Sequence, residues 1–163
     1  MSLKLRVRRV EPSDLMLIFS WANDPLTRTM SFTQKPITLD THKCWFKRVL
    51  SNRNIRLLVV EIYESANWHP IGQFRVNEHR EVSMSLAAEY RGRHLATPLI
   101  NIGIKYLEPK LHKDNLIAYI KKDNIASVKS FEKAGFHFVG ETIKDGNLCL
   151  EYIYQFSGCC DDR

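Results

Sequence analysis

Val82-Ser-Met-Ser-Leu-Ala-Ala-Glu-Tyr90-Arg91-Gly92-Arg93-His94-Leu95-Ala96-Thr97-Pro98-Leu-Ile-Asn-Ile-Gly-Ile-Lys-Tyr-Leu107 reads as an apolar strand, a basic glycine-containing turn and a helix. A helix that follows such a turn offers amide hydrogens without intrahelical partners and the positive end of its dipole. Arg91 and Arg93 bring two guanidinium forks to the same place, so the stretch predicts an anion site suited to a phosphate-bearing ligand. Pro98 sets the helix start close to Leu95, because a residue without an N–H fits only among the first few helical positions. Arg91–Ala96 is then mostly loop, with its amides available.

Upstream, Arg56–Glu64, Pro70–Asn77 and Glu81–Ala88 are three β-rich runs separated by short polar or turn-forming stretches, which predicts an antiparallel meander. Leu3–Val10 alternates apolar and basic residues as a half-buried strand does. Glu11-Pro12-Ser13-Asp14 supplies a cap and an early proline for a helix with Leu15, Ile18, Phe19 and Ala22 on one face, which Asn23-Asp24-Pro25 ends. A polar link then leads to Pro36–Asp40 and a second helix carrying Trp45, Phe46, Val49 and Leu50. Downstream, Pro109 stops the Leu95–Leu107 helix, and Leu116–Ile120 is a continuous apolar run that predicts a central strand. Ile125–Ala134 is helical and ends at Gly135, and Phe136–Gly140 and Leu148–Gln155 pair around an Asp145-Gly146 turn. The order is β-α-α-β-β-β-α-β-α-β-β, without repeats.

A chain of 163 residues has room for one domain, read as 1–156 with 157–163 as a short polar tail, and can bury a core without disulfides or metal. The hydrophobic share of 44% and the charged share of 26% exclude a disordered or fibrous chain. Apolar stretches such as Leu57–Ile62 fall far short of the roughly 20 residues a membrane helix needs, and Met1–Arg9 has no apolar signal core. The expectation is a cytoplasmic protein with no membrane partner. Cys44, Cys149, Cys159 and Cys160 lack metal-ligand spacing and read as free thiols. The net charge of +6 comes from Lys and Arg spread from Lys4 to Arg163 without a dense run, so a phosphate-rich cofactor accounts for it and no nucleic-acid partner is expected.

With its anion-binding turn after the fourth strand, this order resembles the GNAT acetyltransferase superfamily over nearly the whole chain. Tyr90-Arg91-Gly92-Arg93-His94-Leu95-Ala96 corresponds to that family's acetyl-CoA signature, Q/R-x-x-G-x-G/A, with His94 standing where the family has its central glycine. Asp123-Asn124-Ile125-Ala126-Ser127 through Lys133-Ala134-Gly135-Phe136 resembles the family's Asn-x-x-Ser/Ala…Lys-x-Gly-Phe segment. The resemblance implies an α+β fold, with a mixed and largely antiparallel sheet of about seven strands, four flanking helices and a splayed parallel pair formed by the fourth and fifth strands. It implies acetyl-CoA as co-substrate and no metal. Ser85 and Leu86 would lend backbone groups to the pantetheine as to an added strand. Arg91, Gly92, Arg93, His94, Leu95 and Ala96 would hold the pyrophosphate, Asn124 and Ser127 the pantetheine arm, and Lys133 would reach the phosphoadenosine.

Direct attack of an amine on a thioester needs an unprotonated nucleophile, an oxyanion partner and a proton for the leaving thiolate. Many relatives supply that proton from a tyrosine one helical turn past the small residue, where this chain has Phe131, which has none to give. Some relatives place a carboxylate base before the motif asparagine, where this chain has Tyr119. A phenol with an ordinary pKa of about 10 suits an acid or thiolate partner better than a base, and a buried structural tyrosine is the alternative. Among His42, Glu61 and Glu81 as bases, only His42 has an ordinary pKa near neutrality, and a positioned water serves as well. His69, His79, His112 and His137 read as surface or packing residues.

Trp21-Ala-Asn23-Asp24…Arg28…His42…Trp45-Phe46, followed by Gly72-Gln73-Phe74-Arg75, is similar to the RimJ/RimL-like branch. Within it, these pieces resemble acetyltransferases of amino-sugar nucleotides, including the pseudaminic-acid pathway enzyme that acts on a UDP-linked amino sugar. The likeness implies that Trp21, Asn23, Arg28, Arg75 and Asn77 bind substrate, with cations for a diphosphate and polar donors beside an aromatic face for a sugar. Trp21, Trp45 and Phe46 equally suit the core side of two amphipathic helices. Three functions fit: an N-acetyltransferase for a UDP-amino sugar or other small amine, one for protein N-termini or lysines, and a non-catalytic acyl-CoA-binding module. Each is compatible with a monomer or a homodimer.

Overall fold

The computed structural model describes residues 3–111 and 114–157; the residues at 112, 159 and 160 that the sequence singled out lie outside them. Strand β2 (Arg56–Glu64) explains the most continuous apolar run of the chain, because both its faces are covered. Leu58, Val60 and Ile62 enter one core, while Leu57 and Val59 enter a second on the opposite side. β2 pairs antiparallel with β1 (Leu5–Arg9) and with β3 (Asn67–Val76), which pairs in turn with β4 (Val82–Leu86), giving the order β1-β2-β3-β4. The buried carboxylate of Glu61, beside a β2 bulge, is met by Arg6 Nε at 2.5 Å and Arg8 Nε at 3.3 Å, while Arg8 also grips Asp14 at 2.7 and 2.9 Å.

A second antiparallel sheet contains β5 (Leu116–Lys121), β6 (His137–Lys144) and β7 (Asn147–Tyr154) in the order β5-β7-β6. It joins the first sheet through one parallel bridge, Glu81 to Ile117, with the Ile117 amide donating to the Arg80 carbonyl at 3.0 Å. Beyond that bridge β4 and β5 part, which is the splayed parallel pair the sequence implied. Helices α4 (Ala96–Leu107) and α5 (Ile125–Lys133) complete the core shared by both sheets, through Leu99, Ile100, Ile104 and Phe131. Helices α1 (Leu15–Ala22) and α3 (Leu39–Ser51) cover the other face of the first sheet with Ile18, Phe46 and Val49.

The mixed α+β architecture stands, with two refinements. Among the described residues the seven strands form two antiparallel sheets joined at one bridge, and there are five α-helices where four were expected. The added helix, α2 (Pro25–Met30), follows directly on the segment that the sequence reads only as a stop. Asp24 accepts from the Thr27 amide at 2.9 Å and Pro25 takes the first helical position, so one dipeptide ends α1 and starts α2. Leu116–Ile120 is not buried on both faces: Leu116, Ala118 and Ile120 are buried, while Ile117 and Tyr119 are half-buried. β6 also runs on to Lys144, up to the turn at Asp145 (φ 49°) and Gly146 (φ 75°), the two positive φ values that a tight hairpin requires.

Candidate active site

Where β4 and β5 part, a cleft of about 310 Å³ opens, lined by Met84, Ser85 and Leu86 of β4, Tyr119 and Lys121 of β5, Asn124, Ser127 and Phe131 of the α5 segment, and Leu26, Thr27 and Met30 of α2. The Ala87 amide donates to the Ile71 carbonyl at 2.8 Å. By the alternation of an antiparallel ladder, Ser85 and Ser83 therefore turn their backbone groups toward β3, and Leu86 and Met84 turn theirs toward the cleft. Of the pair expected to lend backbone groups there, Leu86 has the right direction and Ser85 contributes its side chain. The Leu86 carbonyl meanwhile accepts from Arg91 Nη2 at 3.2 Å.

The turn from β4 into α4 has the shape of an amide-lined anion site. Gly92 (φ 74°) and His94 (φ 57°) both lie in the left-handed region, so His94 adopts the backbone that glycine provides elsewhere. The α4 N-cap, Leu95, has no side-chain cap, and Leu99 N–H to the Leu95 carbonyl at 2.9 Å is the first bond of the helix. The amides of the preceding turn are left to an incoming anion. Both expected cationic forks are otherwise engaged. Arg91 pairs with Asp24 at 2.5 Å and reaches Thr27 Oγ1 at 3.3 Å, while Arg93 pairs with Glu64 and lies 5.1 Å over the Tyr90 ring. Arg91 thereby ties the loop to α2. Asp24's carboxyl is held below the usual carboxylate range, chiefly by that hydrogen bond from Arg91.

A second cavity, of about 350 Å³, adjoins the first on the α1–α3 side of the sheet. Its floor consists of Gln73 and Arg75 of β3 beside their cross-strand partners Ser85 and Ser83 of β4. Its walls come from Ile18, Ala22, Thr27, Arg28, Ser31, Ile37, Thr41, His42 and Trp45. Thr27, Ser31, Ser83, Met84 and Ser85 line both cavities, so the two spaces meet along β4 beneath α2. Arg75 donates through Nε to Ser83 Oγ at 3.1 Å and lies 5.6 Å over the Trp45 ring. Ser85 Oγ and Gln73 Oε1 are buried with no hydrogen-bond partner among the described residues.

A splayed strand pair, a left-handed amide turn before a helix, and an asparagine-capped helix across the cleft accompany a match to the family model described as acetyltransferase (GNAT) domain, over residues 4–137. The chain belongs to the GNAT acetyltransferase family. An uncharacterised protein of Methanocaldococcus jannaschii is 24% identical over 139 residues, covering 82% of this chain and 28% of that protein. This chain therefore spans under a third of that curated relative's length. A solved domain from the same organism is similar at a TM-score of 0.81 and 22% identity, over 95% of this chain and 100% of the other. The spermidine N-acetyltransferase of Vibrio cholerae, solved with CoA and spermine, is similar at a TM-score of 0.77 and 23% identity, over 91% and 93%.

In this GNAT domain the sequence-derived residues fall into three groups. Ser85, Leu86, Arg91, Ala96, Asn124, Ser127 and Tyr119 line the cleft, and Arg28, Arg75 and His42 line the adjoining cavity. Gly92, Arg93, His94 and Leu95 shape the turn outside both, and Lys133 is exposed near the end of α5. Trp21, Asn23 and Asn77 are the corrections. Trp21 is buried in the α1–α3 core, and Asn23 holds the Ile37 backbone through both amide atoms, at 2.9 and 2.8 Å. Asn77 organises the β3–β4 turn by accepting from the His79 and Glu81 amides, and lines neither cavity. Gln73 and Ser83 were missed. Their signal was period-two polarity, Gln73 and Arg75 then Ser83 and Ser85, on strands whose other residues face a core.

The titratable groups have distinct environments. His42 is buried among Phe19, Trp45 and Phe46, and its Nε2 lies 3.0 Å from the Leu15 carbonyl, so Nε2 carries the proton and Nδ1 is the acceptor. Burial pushes its pKa down, against the effect of that hydrogen bond. The Tyr119 phenol is pushed up by burial, then by Glu151 and Glu81, with Lys144 opposing from 5.0 Å above the ring. Phe131, in the family's acid position, is buried edge-on against Phe136 at 4.9 Å between ring centroids.

Proposed function

We propose that the chain is an acetyl-CoA-dependent N-acetyltransferase for a small primary amine, with the β4–β5 cleft as donor site and the adjoining cavity as acceptor site. The observation that carries this reading is the meeting of the two spaces at Ser83, Met84 and Ser85, where β4 offers free backbone on one side and polar side chains on the other. The residues present fit the donor: an open strand edge at Met84 and Leu86 for pantetheine, and uncapped amides before α4 for a pyrophosphate. Bound there, acetyl-CoA would supply an acetyl group on a thioester. Leu86 and Asn124 would orient it, and the Arg91–Asp24 pair would hold α2 over the junction. The Arg93–Glu64 pair is exposed and screened by solvent, so Arg93 is free to turn to a phosphate.

For the chemistry, neutral His42 would accept the amine proton at Nδ1, directly or through a water, and Tyr119, which lines the donor cleft, would protonate the departing thiolate. An amino-sugar nucleotide is the acceptor that the RimJ/RimL-like likeness suggests, and a cytoplasmic location suits both substrates. The test is CoA-thiol release with a Tyr119→Phe variant. The expected outcome is kcat lowered by about 100-fold with unchanged acetyl-CoA affinity, the usual worth of one positioned acid. Full kcat in that variant would remove Tyr119 from the mechanism. Binding of acetyl-CoA with no thiol release from any amine would leave the non-catalytic module.

A further inference from the structure

The acceptor cavity has an unusual charge for a site that takes an amine. Among the described residues no aspartate or glutamate lines it, while two guanidinium groups do. Arg28 is held by neutral groups only, the carbonyls of Ala22 at 2.6 Å and Thr33 at 2.9 Å and the Ser31 hydroxyl at 3.1 Å. Arg75 engages the Ser83 hydroxyl through Nε; Glu81 and Glu78 act on it only from beyond ion-pair distance, and among the described residues no carboxylate pairs with it. Two guanidinium charges without carboxylate partners repel a polycation and favour a bidentate oxyanion. At the opposite end the two orphaned atoms, Gln73 Oε1 and Ser85 Oγ, stand side by side across β3 and β4. A buried acceptor without a donor is costly, and a ligand N–H relieves it. Ser83 and Ser85 both line the donor cleft, and of the two Ser85 has the unpartnered hydroxyl while Ser83 is taken by Arg75, so the Ser85 end is where a nucleophilic amine would meet the acetyl group.

We infer that the cavity selects a primary amine whose own scaffold carries an oxyanion group, carboxylate or phosphoryl, with Arg75 binding the oxyanion and Gln73 Oε1 and Ser85 Oγ receiving the amine end. The inference rests on the acetyltransferase reading above and specifies the charge of its acceptor. It separates this cavity from one that takes polyamines such as the spermine in the Vibrio cholerae structure. Gln73 and Arg75 are alternate residues of one strand, about 7 Å apart along β3. An acceptor that spans this spacing holds its amine and oxyanion several bonds apart, as an amino-sugar phosphate or an ω-amino acid does.

The experiment measures thiol release from acetyl-CoA with spermidine, D-glucosamine, D-glucosamine 6-phosphate and 6-aminohexanoate. The expected result is a kcat/KM at least tenfold higher for one of the two anion-bearing amines than for glucosamine or spermidine. Which of the two leads tells a phosphoryl site from a carboxylate site. Arg75→Gln should erase that advantage by raising KM, with the acetyl-CoA Kd unchanged by calorimetry, and Arg75→Lys should recover part of it. Faster turnover of spermidine or glucosamine than of both anionic amines overturns the inference and leaves the acetyltransferase reading standing. Acetyl-CoA binding without thiol release from any of the four overturns the inference, and absence of release from neutral, cationic and nucleotide-linked amines alike overturns the acetyltransferase reading. The wild-type panel decides even if Arg75→Gln fails to fold.

Discussion

His94 is the residue at which this chain departs most visibly from its family's pattern, and its backbone shows how the departure is tolerated. A non-glycine residue in the left-handed region costs roughly 1–2 kcal/mol, whereas glycine gives back part of that gain through greater freedom when unfolded. His94→Gly is therefore expected to raise stability by about 0.5 kcal/mol, read as a higher urea midpoint at constant m-value, and to keep acetyl-CoA affinity. A lower midpoint would mean that the imidazole makes a stabilising contact of its own. Phe131 is different in kind: it packs against Phe136 in the shared core, so the position that gives relatives an acid gives this chain packing. Tyr119, from β5, is a phenol that lines the same cleft.

At the scale of elements, α4 is seated by close contact with β3. A Cβ added at Gly103 would lie 2.5 Å from the Phe74 ring, and Phe74 is fully buried. Gly103→Ala is expected to destabilise the fold by about 1–2 kcal/mol, the strain of overpacking exceeding the better helix propensity of alanine. Thermal melting of the variant checks it, and an unchanged Tm would mean that Phe74 moves aside freely. Most elements were legible in the sequence because one covered face or one cap marked each of them, as Asn124 marks α5 and Asp145-Gly146 marks the last hairpin. α2 was not legible, because Asp24-Pro25 is at once a stop and a start and local signals do not rank the two. That omission hid the site's geometry as well, since α2 is the wall common to both cavities. The motif positions around the donor cleft were readable, as their spacing is set by helix starts and turns. The second cavity depends on which strand neighbours face each other, a register that is written across β3 and β4 rather than within either, so that Gln73 and Ser83 line it and Trp21, Asn23 and Asn77 do not.

For the whole molecule, one core ties the two sheets together: residues from β2, β3, α4, β5, α5 and β7 share it, while the sheets themselves touch at one bridge. Packing holds the halves in place and leaves the seam between them open. Acetyl-CoA at 100 times its Kd should then stabilise the chain by about 2.7 kcal/mol, with amide exchange slowing most at Met84 and Leu86, which face the seam. Exchange that slowed evenly across the chain would argue against a ligand lying along β4. The same open edge has a consequence for what can occupy it. An unpaired strand border is a template for an added strand, and here that border is set inside a cleft walled by α2, β5 and α5, so it admits a slender extended ligand and shuts out the strand of a neighbouring chain.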